Sequence, residues 1–299
     1  MSFKPKTINL IQLNTAVLMF GLTAMFAKGI PLSVWHIICF RSIVCAIALF
    51  LYMRALKVNI GVKKPKHYAV MAFLGILLCG HWLTYFQALK VSSAAVANFA
   101  LQTHPVITAL VEPVVFREKL KKIDLALAAL VFIGILIMTP TMSLSDTTTL
   151  GIVLGVVSGV LWMVRSLMTR KYVQVYSGST MMFWQALVTG LVLIPVLFAV
   201  EPAEYTPRTI GLLVLLGVVF TALPQTLIAA SFKNLSARTV GVISTLLPFY
   251  AAFFAYFIHH ETVTPRTAAG GLVILFAVVV ETVRSVQTKP APVPAQAVS

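Results

Sequence analysis

The sequence has few charged residues, and acidic residues are the scarcest of them. Only 10% of the 299 residues are charged and only 8 are aspartate or glutamate, whereas soluble domains average about 25% charged residues. Apolar residues make up 59% of the chain. This composition is far from that of a soluble protein, and it indicates a helical integral membrane protein instead.

Cysteines and enzyme motifs are also scarce. The 3 cysteines, Cys39, Cys45 and Cys79, lie inside apolar runs without metal-ligand spacing, so we interpret them as small buried residues. The chain has no HExxH motif, no phosphate-binding Gly-Lys-Ser/Thr loop and no paired intramembrane aspartates. We therefore expect neither an enzyme nor a bound metal or cofactor. ATP-driven transport would need a partner that supplies the nucleotide site.

The basic residues indicate how the chain crosses the membrane. A net charge of +15 could suggest a nucleic-acid partner, but the lysines and arginines lie in short loops between apolar runs. With the N-terminus in the cytoplasm, 17 of the 23 fall in cytoplasmic segments and 4 outside, as the positive-inside rule requires. The pattern predicts ten spans with both termini cytoplasmic. They cover about 8–29, 32–53, 67–89, 92–116, 123–140, 150–171, 178–200, 208–232, 236–258 and 265–284.

Two segments of the chain resemble each other. Lys90–Glu118 and Lys233–Glu261 share lysine, serine, proline and glutamate at one offset of 143 residues, which suggests an internal duplication. Five spans per half is an odd number, so the halves would cross the membrane in opposite directions. We predict an N-terminal repeat at 1–142, a C-terminal repeat at 143–286 and a disordered cytoplasmic tail at 287–299.

Residues 81–118 carry a family resemblance. The HWLTYFQAL run that starts at His81, the proline Pro105, and the closing pattern from Val111-Glu112-Pro113 to Arg117-Glu118 resemble EamA-type members of the drug/metabolite transporter superfamily. The resemblance implies a ten-helix bundle whose halves enclose a central cavity, lined by spans 1–4 and 6–9. It also implies export of amino acids or related small metabolites, or carriage of other small solutes.

Polar groups inside apolar spans are costly and mark candidate sites. Arg41, near the middle of the second span, could hold a substrate carboxylate. It could equally bind helix-end carbonyls and hold the bundle together. The repeat places Gln185 near the position that corresponds to Arg41, so both are kept as candidates.

The third and fourth spans supply further candidates. His81 and Tyr85 share a helix face beside Trp82 and could line a cavity, although aromatic residues at helical spacing also serve as packing. Asn98 and Gln102 precede Pro105 at the same spacing and could bind an ammonium or amide group, or only bond neighbouring helices.

The sixth span contributes Trp162, which could cap the cavity. Arg165 lies near the cytoplasmic end of that span, so we expect it to extend to the membrane surface and do not include it. Glu112 is the one acid well inside an apolar run. It could couple transport to protons, but an ion pair at the membrane edge is the simpler role.

Together these features predict a secondary or facilitative transporter of the bacterial inner membrane. It would export amino acids or related metabolites by alternating access and exist as a monomer or weak dimer. An exporter of cationic or drug-like compounds is the alternative with the same fold. A membrane enzyme or receptor is a third possibility, which the inverted repeat disfavours. The partners are the substrate, the bilayer and a candidate coupling proton, with no nucleic acid.

Overall fold

The structure is a computed structural model, and it describes residues 5–116, 122–172, 175–231, 243–244 and 246–287. These residues form helices and contain no strand. The helices are α1 Pro5–Gly29, α2 Val34–Ala55, α3 Lys66–Val91, α4 Ala94–Leu101, α5 His104–Phe116, α6 Lys122–Met138, α7 Thr147–Tyr172, α8 Gly178–Leu197, α9 Pro207–Gly217, α10 Leu223–Ser231, α11 Leu247–His259 and α12 Pro265–Gln287.

Six helical segments are long and apolar enough to cross a membrane. The other helices do not meet that criterion over their described residues, so the count of ten spans stays a prediction. Large apolar side chains are exposed along the helices, for example Phe132, Phe257 and Phe276 at 61%, 62% and 63%. Such an apolar exterior suits lipid. The six segments are Thr7–Phe26, Val34–Ala55, Lys66–Val91, Thr147–Thr169, Gly178–Leu197 and Pro207–Ile228.

The fourth predicted span is interrupted rather than continuous. Helix α4 begins after Ser93, whose hydroxyl accepts a hydrogen bond from the Val96 N–H at 3.2 Å, and it ends at Leu101. The Thr103 hydroxyl donates to the Ala100 carbonyl at 2.8 Å and closes the last turn. Pro105 then stands second in α5, where its missing N–H costs no helical bond.

A π-helical segment, Val218–Ala222, interrupts the helix between α9 and α10. It lies immediately before Leu223-Pro224, and Pro224 has no N–H to offer the carbonyl of Phe220 four residues earlier. The Thr23 hydroxyl of α1 donates to that carbonyl instead, at 3.2 Å. A carbonyl freed at membrane depth is thus satisfied by a neighbouring helix, as the apolar surroundings require.

Helices from the first half of the chain pack mainly on helices from the second half. Helix α2 contacts α8 and α9, α3 contacts α7 and α8, and α1 contacts α10 and α11. Helix α7 also packs on α4. A Cβ atom added to Gly155 would lie 2.6 Å from the Ala100 Cβ of α4, so the two helices are in close contact there.

One end of the bundle carries the turn at 30–33 between α1 and α2, and we call this end the α1–α2 face. Helices α1, α4 and α11 are joined there. Lys28 of α1 forms an ion pair with Glu261, just beyond α11. The Lys28 ammonium also donates to the Ser92 carbonyl at 2.7 Å, and Glu261 accepts from the Ala94 N–H at 2.9 Å. Glu261 therefore caps the first turn of α4 and holds three helices together.

The two segments that suggested a duplication are described only in part. Lys233, Ser236 and Glu118 lie outside the described residues, as does the tail from residue 288. Helices α5 and α11 are both 13 residues long. Pro105 and Pro248 each stand second in their helix.

Candidate functional site

The eight predicted substrate-binding residues are all described, and they lie on or beside α2, α3, α4, α7 and α8. Seven of them are buried and Trp162 is half-buried. Contacts between aromatic rings, amides and guanidinium groups link most of them into one region. We call the eight residues together the polar cluster: Arg41, His81, Trp82, Tyr85, Asn98, Gln102, Trp162 and Gln185.

Arg41 is 2% exposed, and its guanidinium lies against two rings of α3. Its Cζ atom is 4.2 Å from the Trp82 ring centroid and 4.6 Å from that of Phe86. The Nη2 atom donates to the Thr221 hydroxyl at 2.7 Å. The Nε and Nη1 atoms are buried without a hydrogen-bond partner, so the group keeps unused donors inside the bundle.

The amides of α4 face different partners. Asn98 is fully buried; its Oδ1 atom accepts from the Tyr85 hydroxyl at 2.9 Å and its Nδ2 atom donates to the Ala94 carbonyl at 2.8 Å. Gln102 ends α4 and donates instead to the Ser244 carbonyl, at 3.1 Å, across to the second half of the chain. The Gln102 N–H still donates to the Asn98 carbonyl at 3.0 Å, so the two residues are one helical turn apart although their side chains bond different partners.

His81 joins α3 to α7. Its Nδ1 atom lies 2.7 Å from the Ser158 hydroxyl and 3.1 Å from the Ser158 carbonyl oxygen. The imidazole stacks on Tyr85 at 6.2 Å between ring centroids, which confirms their predicted shared face, and it lies 4.9 Å from the Trp162 ring. His104 of α5 also stacks on Trp162, at 6.3 Å between ring centroids.

Our expectation that Arg165 extends to the membrane surface is wrong. The residue is 7% exposed, and its Nε atom donates to the Gln185 Oε1 atom at 2.6 Å. Its Cζ atom lies 5.1 Å from the Trp162 ring centroid, and its Nη2 atom has a weak contact with the Met182 sulfur at 3.8 Å. Arg165 therefore belongs beside the polar cluster, because Gln185 offers a buried acceptor that sequence spacing could not reveal.

The acidic residues also differ from expectation. The Glu112 side chain lies outside the described part of the structure, so its coupling role stays a prediction. Glu112 is not the one acid inside the bundle, however, because Asp124 and Glu281 are 5% and 7% exposed in α6 and α12. In the described parts of the chain, no group of three or more His, Cys, Asp or Glu side chains is placed to hold a metal ion.

Sequence reasoning missed Thr221 and Ser158, the hydroxyl partners of Arg41 and His81. Both are fully buried. A single serine or threonine is common in membrane helices, where it can bond its own backbone, so the sequence carries no specific signal for either. Pro224, three residues after Thr221, is the one sequence feature nearby that indicates an irregular helix.

A separate concavity of about 600 Å³ opens at the α1–α2 face. The turn after α1 and the loop 201–206 line it, together with His36 and Arg208. None of the eight predicted residues takes part. It is therefore distinct from the polar cluster.

Polar and charged groups buried among hydrophobic spanning helices mark a candidate functional site of a membrane protein, and comparison with known proteins identifies its class. The EamA-like transporter family model matches residues 8–139 and 149–282. The chain belongs to the EamA-like transporter family and is a multi-pass membrane protein.

Individual relatives are distant but cover most of the chain. An uncharacterized transporter of Archaeoglobus fulgidus is 27% identical over 76% of this chain and 81% of its own. The pseudopaline exporter of Pseudomonas aeruginosa is 25% identical over 81% and 84%. One solved crystal structure matches with a TM-score of 0.66 and 18% identity, over 92% of this chain and 98% of that chain, which shows that the fold is shared.

Proposed function

We propose that the protein exports amino acids or related small metabolites across the bacterial inner membrane by alternating access. The observation that carries this proposal is the buried guanidinium of Arg41, with Nε and Nη1 unpartnered between aromatic rings. A cation in an apolar interior is costly unless an anion and further hydrogen bonds accompany it. A substrate carboxylate supplies both, because it can accept two hydrogen bonds from a guanidinium.

The polar cluster is the proposed substrate site. Trp82 and Trp162 offer ring faces to the substrate, and Gln102 and Gln185 are neutral groups for its uncharged parts. The buried arginines disfavour the cationic or drug-like substrates that were the alternative, since like charges repel in a low-dielectric site. The name of the Pseudomonas relative, an exporter of a small molecule, supports outward transport.

Alternating access requires two halves that move against each other, and we propose two inverted five-span repeats around a central cavity. Three observations support the duplication: the two matched family segments of similar length, the equal lengths of α5 and α11, and the prolines second in each. The excess of basic residues in alternate loops supports ten spans with both termini cytoplasmic. The contacts of α1, α2 and α3 with helices of the second half supply the surfaces that would slide.

A counterflow assay in liposomes tests the function. Purified full-length protein is reconstituted with each unlabelled amino acid inside, and uptake of the same labelled compound is measured. We expect uptake for at least one amino acid, and loss of that uptake in Arg41→Gln. Arg54→Gln is the matched control because Arg54 is exposed at the end of the same helix. Amino acids are excluded as substrates if none is exchanged, and Arg41 is excluded from the site if Arg41→Gln transports as well as Arg54→Gln.

Proton coupling through Glu112 is a separate part of the proposal. A carboxyl inside a span is the usual proton carrier of such transporters. An inward proton gradient across the liposome membrane should then accelerate transport by the wild type but leave the transport rate of Glu112→Gln unchanged. Equal acceleration of both proteins would exclude Glu112 as the coupling residue.

A further inference from the structure

Two buried arginines, rather than one, belong to the site. Arg41 comes from α2 and Arg165 from α7, and they are 2% and 7% exposed. Their hydrogen-bond partners are neutral: the Thr221 hydroxyl for Arg41, and the Gln185 amide and Met182 sulfur for Arg165. Within the described ranges, no carboxylate lies at ion-pair distance from either guanidinium.

A chain of ring contacts connects the two cations. Arg41 lies 4.6 Å from the Phe86 ring, Phe86 lies 5.9 Å from Tyr85, and Tyr85 lies 6.2 Å from His81. His81 lies 4.9 Å from the Trp162 ring. The Trp162 ring is in turn 5.1 Å from the Cζ atom of Arg165. The two guanidinium groups thus stand on different helices at the two ends of one aromatic surface.

Neutral partners do not compensate two buried charges. A buried cation is stabilised by an opposite charge and by acceptors for its N–H groups. A ligand with one anionic group that binds Arg41 would leave Arg165 beside neutral partners, and the reverse also holds. A ligand with an anionic group at each end would satisfy both, while its carbon skeleton lies on the rings between them.

We propose that the transported substrate carries two anionic groups of the carboxylate class, one held by Arg41 and the other by Arg165. This inference rests on the transport function proposed above and names the substrate class of the same site. Bidentate pairing is the strongest bond that arginine makes to such groups. A preference for two charges therefore follows from the presence of two guanidinium groups.

Matched ligand pairs test the inference on the wild-type protein. Purified full-length protein is titrated with glutarate and with glutaramate, its half-amide, and with L-glutamate and L-glutamine, and affinity is taken from the rise in unfolding temperature. Each pair differs in one charge and hardly in shape. We expect at least one dianion to bind about tenfold or more tightly than its amide, because a charge-assisted bond is lost.

Two substitutions at the second cation sharpen the test. Arg165→Gln removes the positive charge. Gln185→Glu keeps Arg165 but gives it an internal carboxylate, because Gln185 Oε1 is the atom that accepts from the Arg165 Nε in the wild type. In both variants the ratio of the dianion's affinity to that of its amide should fall to about twofold or less. Arg54→Gln should leave the preference unchanged.

The outcomes separate this inference from the transport function. If the protein exchanges small metabolites but binds the amide or a neutral compound as tightly as the dianion, the two-anion inference is overturned and transport stands. A dianion preference that survives both Arg165→Gln and Gln185→Glu also overturns it. If no amino acid or dicarboxylate is bound or exchanged, both proposals fail.

Discussion

The Nη2 atom of Arg41 donates a 2.7 Å hydrogen bond to the hydroxyl of Thr221, 180 positions later in the chain. Thr221 stands in the π-helical segment, and its hydroxyl donates in turn to the Leu216 carbonyl at 2.7 Å. The bond joins α2 to the irregular turn before Pro224. It is the sole hydrogen bond of this buried cation within the described part of the chain.

Thr221→Val should therefore destabilise the protein. Valine keeps the shape of threonine but offers no acceptor, so Arg41 would be left with no hydrogen bond among its described neighbours. We expect a loss of about 1–3 kcal/mol in the free energy of unfolding. The measurement is the decrease in unfolding temperature in detergent.

Thr226→Val is the matched control for that change. The Thr226 hydroxyl donates to the Ala222 carbonyl of its own helix at 2.8 Å, so its removal should cost much less. Equal destabilisation by both substitutions would show that the bond to Arg41 contributes nothing specific.

Tyr85→Phe should also lower stability, because the Oδ1 atom of Asn98 would lose its donor from α3. Asn98 is fully buried, and a buried acceptor without a partner costs about 1–3 kcal/mol. Thermal unfolding measures the difference. Tyr68→Phe on the same helix is the control, since Tyr68 is 45% exposed and should tolerate the change. The expectation is wrong if Tyr85→Phe unfolds at the wild-type temperature.

Gly155→Ala should be poorly tolerated. The new methyl group would lie 2.6 Å from the Ala100 Cβ and 3.2 Å from the Ala97 carbonyl oxygen, so α7 and α4 would have to separate. Overpacking of this kind costs about 1–3 kcal/mol. We expect a lower unfolding temperature and slower counterflow.

Gly211→Ala provides the comparison, because a Cβ there would meet nothing within 4 Å. Alanine is the better helix former by about 1 kcal/mol, so this variant should be as stable as the wild type or more stable. If both glycines accept alanine equally, α4 and α7 are not in close contact in the membrane.

The ion pair between Lys28 and Glu261 should be measurable by a double-mutant cycle. Lys28→Met, Glu261→Gln and the double variant are compared in unfolding free energy. Both side chains are 19% exposed, so a coupling energy of about 0.5–1 kcal/mol is expected, larger at low salt.

A second cycle, of Lys28→Met with Glu204→Gln, serves as the control, because Glu204 is exposed in the loop 201–206 and should show no coupling. A zero coupling energy for Lys28 and Glu261 at low salt would mean that the pair does not hold the α1–α2 face together. Loss of the pair should also change the rate of transport if this face opens during the cycle.

Much of the fold could be predicted from the sequence, because each helix follows from a long apolar run bounded by proline, glycine or basic residues. The predicted second, third and seventh spans, for instance, lie within or closely match α2, α3 and α8. The break at Gln102 was harder to predict, since Pro105 is equally compatible with a kinked continuous helix. The ten-span count and the inverted repeat stay predictions.

The polar cluster was predictable in its members more than in its bonds. Arg41, His81, Asn98 and Gln185 stand out because polar groups in apolar spans are costly wherever they lie. Arg165 had the same signal but was assigned to the membrane surface, because distance along a helix does not show whether a neighbouring helix offers an acceptor.

By itself the sequence determined that this chain is a helical membrane protein, because the succession of long apolar runs and the positions of the basic loops are local properties of the chain. It also identified most groups that the bundle would bury. Only the tertiary structure decided which of them meet, because Arg41 reaches Thr221 and Arg165 reaches Gln185 through the packing of helices far apart in the chain. That packing turned a set of isolated polar residues into two buried cations that lack an opposite charge among the described residues.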